Sequence, residues 1–106
     1  MSTLRVSKST HEDYVRRLKE NGERGLFCFV VEQGIAAKAV FKNPDVDVLN
    51  QSDAFFKLFR NTGQEVYFTI GRVLRRAAHH LYREFQSKDK KRPINLRFLN
   101  IINGRY

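Results

Sequence analysis

The sequence predicts a single α+β domain over residues 1–106, in which a small, mostly antiparallel sheet is packed by about three helices. Three observations lead to this fold class. A chain of 106 residues with 42% hydrophobic residues suits one folded domain with one modest core. Residues 26–42 have the pattern of a β-hairpin, and residues 72–86 have the pattern of a sharply two-faced helix. No repeat, low-complexity tract or convincing domain boundary divides the chain.

The first predicted helix lies in the stretch STHEDYVRRLKENG. Ser9 or Thr10 can accept hydrogen bonds from the first free backbone amides, and the two acidic residues that follow suit the positive end of the helix dipole. Asn21 and Gly22 supply a left-handed stop. The narrow apolar stripe of this segment indicates a peripheral helix.

A β-hairpin is predicted next, with strands at residues 26–32 and 35–42 and a tight turn at Gln33 and Gly34. The run LFCFVV is apolar on both faces, which is typical of a central strand covered on each side. The returning strand alternates between two faces, of which the second is only half buried. Cys28, the only cysteine, lies inside the apolar run and is predicted to be a small buried hydrophobe.

A turn at residues 43–45 and a short helix capped by Ser52 are predicted to follow. Phe55, Phe56 and Phe59 then lie on the inner side of that helix. Three phenylalanines in five residues could also form an aromatic stacking platform, but at helical spacing core packing is the favoured interpretation.

The stretch TGQEVYFTIGRV supports two structures. Thr62 and Glu65 have the spacing of a capping box, and the apolar residues after them continue one helical stripe into a single long helix. Against this, residues 66–70 are five strong β-formers in a row, followed by Gly71 as a break. The favoured interpretation is a strand at 65–70 and then a helix from about Arg72.

Positive charge is concentrated at the end of the chain. Residues 1–65 carry 10 Lys and Arg against 9 Asp and Glu, whereas residues 66–106 carry 10 against 2, so almost all of the net charge of +9 lies in the last 41 residues. Such a concentration attracts polyanions.

The helix from Arg72 carries much of this charge on one side. At 100° per residue its cations fall within about a third of the circumference, with the apolar residues opposite. We call this side the arginine face; it comprises Arg72, Arg75, Arg76, His79 and Arg83. An ordinary exposed face mixes both signs of charge, so the scarcity of acids here favours binding of phosphates by the planar guanidinium groups.

A basic connector at residues 87–93 follows, with Lys88, Lys90, Lys91 and Arg92 as further binding candidates. A C-terminal strand at 94–102 is predicted to pair back into the sheet, which would bring the connector close to the arginine face. The same strand could pair across a two-fold axis, so a homodimer is compatible with the sequence.

The leading functional hypothesis is a non-enzymatic protein that binds nucleic acid, DNA or RNA, mainly through phosphates. The alternative is a protein–protein interaction module or inhibitor that docks its basic face on an acidic partner. A third hypothesis is a metal-independent ribonuclease, because His79, His80, Tyr82 and Arg76 offer the side-chain types that such chemistry needs.

No metal site or cofactor is predicted. His79 and His80 are adjacent and point about 100° apart on a regular helix, so they do not chelate one metal together. The glycines have no phosphate-cradling spacing. With no targeting segment and no apolar run near the ~20 residues of a membrane span, the sequence predicts a cytoplasmic protein without membrane contact.

Overall fold

Three α-helices build the structure, a computed structural model that describes residues 8–98. They are α1 (Lys8–Ala37), α2 (Pro44–Thr62) and α3 (Glu65–Lys88), and residues 96–98 form one further helical turn. The helices enclose a hydrophobic core, and α3 packs against both α1 and α2. The described part of the chain contains no strand, so the predicted α+β class is wrong and the domain is all-helical.

A sharp bend at Gly22 divides α1 into two arms, residues 8–21 and 23–37. Gly22 has φ 73° and ψ −177°, a backbone conformation that residues other than glycine rarely adopt. The guanidinium carbon of Arg17 lies 3.6 Å from the ring centroid of Phe29, although a straight helix would separate these residues by about 18 Å. The two arms therefore fold back on each other. The helical backbone is interrupted at the residue predicted as a left-handed stop, but the ψ of Gly22 is far from the left-handed helical value of about +47°.

The predicted hairpin at residues 26–32 and 35–42 is wrong, because residues 23–37 are the second arm of α1 and residues 38–41 form a turn after it. Leu26 and Val30, one helical turn apart, are buried in the core, whereas Cys28 is exposed. Gly34 is not a turn residue: a Cβ built on it would lie 2.3 Å from Cδ1 of Leu81. Close packing of α1 on α3 therefore overrides the β-propensity of the apolar run.

The second helix begins earlier than predicted. Asn43 has a non-helical backbone and Pro44 occupies the first turn of α2, where its missing N–H costs nothing. Ser52, predicted as a cap, is buried in the middle of α2 and donates its hydroxyl proton to the carbonyl oxygen of Gly71 at 2.6 Å. Gly63, at φ 72°, ends the helix and donates its N–H to the carbonyl of Phe59 at 2.7 Å.

The favoured strand at 65–70 is also wrong, and the alternative of one long helix is correct. α3 runs without interruption through these residues, and Ile70 is buried in the same stripe as Val73, Ala77 and Leu81. Burial of this continuous 3.6-residue stripe outweighs the local preference of five β-formers for an extended backbone.

The predicted strand at 94–102 is wrong over residues 94–98. Residues 94–95 are irregular and residues 96–98 form a helical turn, while residues 99–102 lie outside the described residues. The ring of Phe98 stacks on Tyr82 of α3, with centroids 4.4 Å apart and an interplanar angle of 10°. Pairing across a two-fold axis through a strand at residues 94–98 is therefore not available, and the homodimer itself stays a prediction. No helix among residues 8–98 is both long enough and apolar enough to cross a bilayer.

Candidate nucleic-acid interface

The arginine face is present on α3, and its members differ in exposure. Arg72, Arg76 and Arg83 are exposed, whereas Arg75 and His79 are half-buried. With a rise of 1.5 Å per residue, the three exposed arginines cover about 16 Å along the helix axis. The amphipathic pattern that predicts this face is confirmed by the buried residues opposite it, which include Leu74, Ala77 and Leu81.

Few carboxylates neutralise these arginines. Nη2 of Arg76 lies 3.6 Å from Oε1 of Glu23. Both side chains are about half exposed, and ion pairs of this kind have a weak interaction energy. Within residues 8–98, Arg72 and Arg83 have no carboxylate within 4.0 Å. Arg72, Arg76 and Arg83 therefore keep most of their positive charge available to an external anion.

His79 adds less charge than its position suggests. Burial lowers its pKa below the ordinary value of 6.5, and the neighbouring Arg83 and His80 lower it further. Its Nε2 atom is enclosed and has no hydrogen-bond partner among the described residues. The lowered pKa favours the neutral imidazole, and the enclosed nitrogen is not placed to exchange a proton with a bound substrate.

A groove of about 870 Å³ lies between the second arm of α1 and α3. Phe27 on α1 packs edge-on against His80, with ring centroids 5.8 Å apart. The lining combines cations, acids and rings from both helices: Glu23, Arg24, Phe27, Arg76, His79, His80, Arg83 and Glu84. Sequence reasoning missed the α1 residues, because it placed them in or beside a strand of the sheet.

The connector residues do not all join the arginine face. Lys88 lies about 140° around the helix from Arg83 and pairs with Glu84 at 3.3 Å, so it is directed away from the face. Lys90 and Lys91 are exposed in the turn that follows α3. The connector lysines are therefore not gathered beside the arginine face as the predicted sheet would have placed them.

Arg92 has a structural role instead. Its side chain is only 9% exposed, and its Nη2 lies 2.6 Å from Oδ1 of Asp45, which is fully buried. The same guanidinium donates to Gln86 at 3.2 Å and to Asn43 at 3.0 Å. These bonds fix the chain after α3 against α2 and α3, so this guanidinium is already occupied within the protein.

Sequence reasoning also missed an aromatic cluster beside the arginine face. Of the phenylalanines predicted to pack inward from α2, only Phe55 is fully buried. Phe56 and Phe59 instead contact Phe68 of α3, with ring centroids 5.7 and 5.2 Å from it. The helical period would have placed Phe68 beside Arg72 if the strand interpretation of residues 65–70 had been set aside.

No group of three or more His, Cys, Asp or Glu side chains that could hold a metal occurs among residues 8–98. Comparison with protein-family models, with curated proteins and with solved structures found no match to this chain.

Proposed function

We propose that the protein binds nucleic acid through its phosphates, using the arginine face of α3. One observation carries the proposal: Arg72, Arg76 and Arg83 are exposed on one side of a regular helix, and among residues 8–98 the half-exposed Glu23 is the only carboxylate within 4.0 Å of any of them. A guanidinium group donates two parallel hydrogen bonds to a phosphate, and a row of them holds a polyanion.

The spacing of the arginines suits a phosphate backbone. Phosphates along one strand of a duplex are separated by about 3.4 Å of helix axis, so a face of about 16 Å extends past roughly five of them. No feature of the face matches a recognised module for reading base edges, which favours binding that depends weakly on base sequence. A cytoplasmic location is part of the proposal, since an exposed unpaired thiol such as Cys28 persists in a reducing compartment.

The test is the salt dependence of binding to a fluorescently labelled 20-base-pair duplex, followed by anisotropy. Three phosphate contacts predict that the logarithm of the association constant falls with the logarithm of salt concentration with a slope of about −2.7. Replacing Arg72, Arg76 and Arg83 together with glutamate should weaken binding by at least about 100-fold, while circular dichroism shows an unchanged helical fold.

Two results would contradict the proposal. One is the absence of binding to either duplex or single-stranded oligonucleotides at about 50 mM salt, where phosphate contacts are strong. The other is binding of polyglutamate as tight as that of nucleic acid, which would point to an acidic protein as the partner of the same face. RNA cleavage that is lost in His80→Ala would instead support the ribonuclease hypothesis.

A further inference from the structure

The aromatic cluster forms a supported platform at the surface. Phe68 is 40% exposed, and its ring is held from the protein side by Phe56 and Phe59. None of these three rings belongs to the buried core or to the residues packed against it. A single exposed apolar side chain is ordinary in proteins. A ring fixed by two others, with part of its surface open to solvent, is a site on which a flat partner can stack.

The platform is continuous with the arginine face. Phe68 precedes Arg72 by four residues and Arg75 by seven, so the three side chains share one side of α3. The guanidinium carbon of Arg72 lies 5.8 Å from the ring centroid of Phe68, and that of Arg75 lies 4.6 Å from the centroid of Phe56. Phe68 and Arg83 are about 22 Å apart along the helix, with the other arginines between them.

We infer that the natural occupant of the arginine face is an unpaired nucleic-acid strand, one base of which stacks on Phe68 while its phosphates contact Arg72, Arg76 and Arg83. This inference rests on the proposed function and adds the class of nucleic acid. In a duplex the bases are stacked on one another and paired, so their flat faces do not reach a ring on a protein surface. An unpaired base is free to stack, and aromatic platforms combined with cationic grooves are the usual means of holding single strands.

Charge complementarity favours this occupant over an apolar protein segment. The guanidinium group of Arg72 lies over the Phe68 ring and that of Arg75 lies over the neighbouring Phe56 ring. An apolar partner would have to strip these groups of water without offering any hydrogen bond in return. A nucleotide satisfies both parts of the surface, because its base covers the ring and its phosphate accepts from the arginines.

The experiment compares a 12-nucleotide single-stranded DNA with a 12-base-pair duplex that contains the same sequence, using wild-type protein and Phe68→Ala. Wild type should bind the single strand more tightly than the duplex. Phe68→Ala should lower the affinity for the single strand about tenfold, the effect of removing one stacked base, and should change the affinity for the duplex by less than about twofold. Phe68→Trp should restore single-strand binding, since it keeps a stacking surface.

Ile35→Ala is the matched control, because Ile35 is 45% exposed on α1, does not line the aromatic cluster, and should leave both affinities unchanged. If Phe68→Ala binds the single strand as wild type does, while the triple arginine variant still fails to bind, the stacking inference is wrong and phosphate binding stands. Equal losses on both probes would also overturn it, since Phe68 would then only support the face. If wild type binds neither probe, the proposed function itself is wrong.

Discussion

At the scale of single residues, Arg92 shows how a predicted binding cation becomes part of the fold. The sequence assigns it to an exposed connector, but its guanidinium is bonded to the buried Asp45 and lies 5.5 Å from the ring centroid of Phe85. The second oxygen of Asp45, Oδ2, has no hydrogen-bond partner among the described residues. The guanidinium group of Arg92 therefore compensates the negative charge of this carboxylate in the protein interior.

Arg92→Ala should accordingly lower the free energy of unfolding by about 3–5 kcal/mol, because it leaves a buried carboxylate without its counter-charge. Urea denaturation followed by circular dichroism measures this loss. Lys91→Ala, at an exposed neighbouring position, is the control and should change stability by less than about 0.5 kcal/mol. Similar small effects of both substitutions would show that Arg92 is a surface residue after all.

His79 should make stability decrease as the pH falls below about 7. Its pKa is lowered in the folded protein, so as pH falls through 6.5 the unfolded chain binds this proton before the folded one does. Protonation thus favours unfolding, and the free energy of unfolding should decrease as pH drops from 7.5 to 5.5.

The variant His79→Gln lacks the titrating group, so its loss of stability over the same pH range should be smaller than that of wild type. The imidazole proton resonances of His79, followed by NMR in the folded protein, should titrate with a midpoint below 6.5. A midpoint above 6.5 would mean that the ring is protonated together with the arginines and adds charge to the face.

At the scale of secondary-structure elements, the sequence predicts helices correctly where one apolar stripe faces one core. The helix from Arg72 is such a case, with Leu74, Ala77 and Leu81 buried as expected. The second arm of α1 is not, because its run LFCFVV is apolar all round and lacks a visible 3.6-residue period. This arm is helical because it packs on α3. Since α3 is distant in the sequence, local patterns do not reveal these contacts. The bend at Gly22, in contrast, has a local signal in the Asn-Gly pair.

Gly34→Ala tests the close packing of α1 on α3. Alanine is the better helix former by about 1 kcal/mol, yet its Cβ would lie 2.3 Å from Cδ1 of the fully buried Leu81. We expect the overpacking to dominate and the free energy of unfolding to fall by about 1–3 kcal/mol. Gln33→Ala, on the exposed side of the same arm, should not destabilise the protein. A stabilised Gly34→Ala variant would contradict this packing.

At the scale of the whole molecule, the proposed function depends on the distribution of charge. The sequence predicts the arginine face, since helical spacing alone brings Arg72, Arg76 and Arg83 to one side. It does not predict which other residues meet there: Glu23 and Arg24 approach α3 because α1 folds back at Gly22, and Arg92 is withdrawn into an ion pair. Such juxtapositions depend on tertiary contacts between segments more than 40 residues apart.

The most direct test of the account compares two variants of equal net charge. Reversing Arg72, Arg76 and Arg83 to glutamate lowers the net charge from +9 to +3, and so does reversing the exposed Lys19, Lys42 and Lys57 elsewhere on the surface. If binding resides in the arginine face, the affinity for a single-stranded oligonucleotide at about 100 mM salt should fall at least 100-fold in the first variant and less than tenfold in the second. Equal losses in the two variants would contradict the account, because binding would then follow the total charge and not the face.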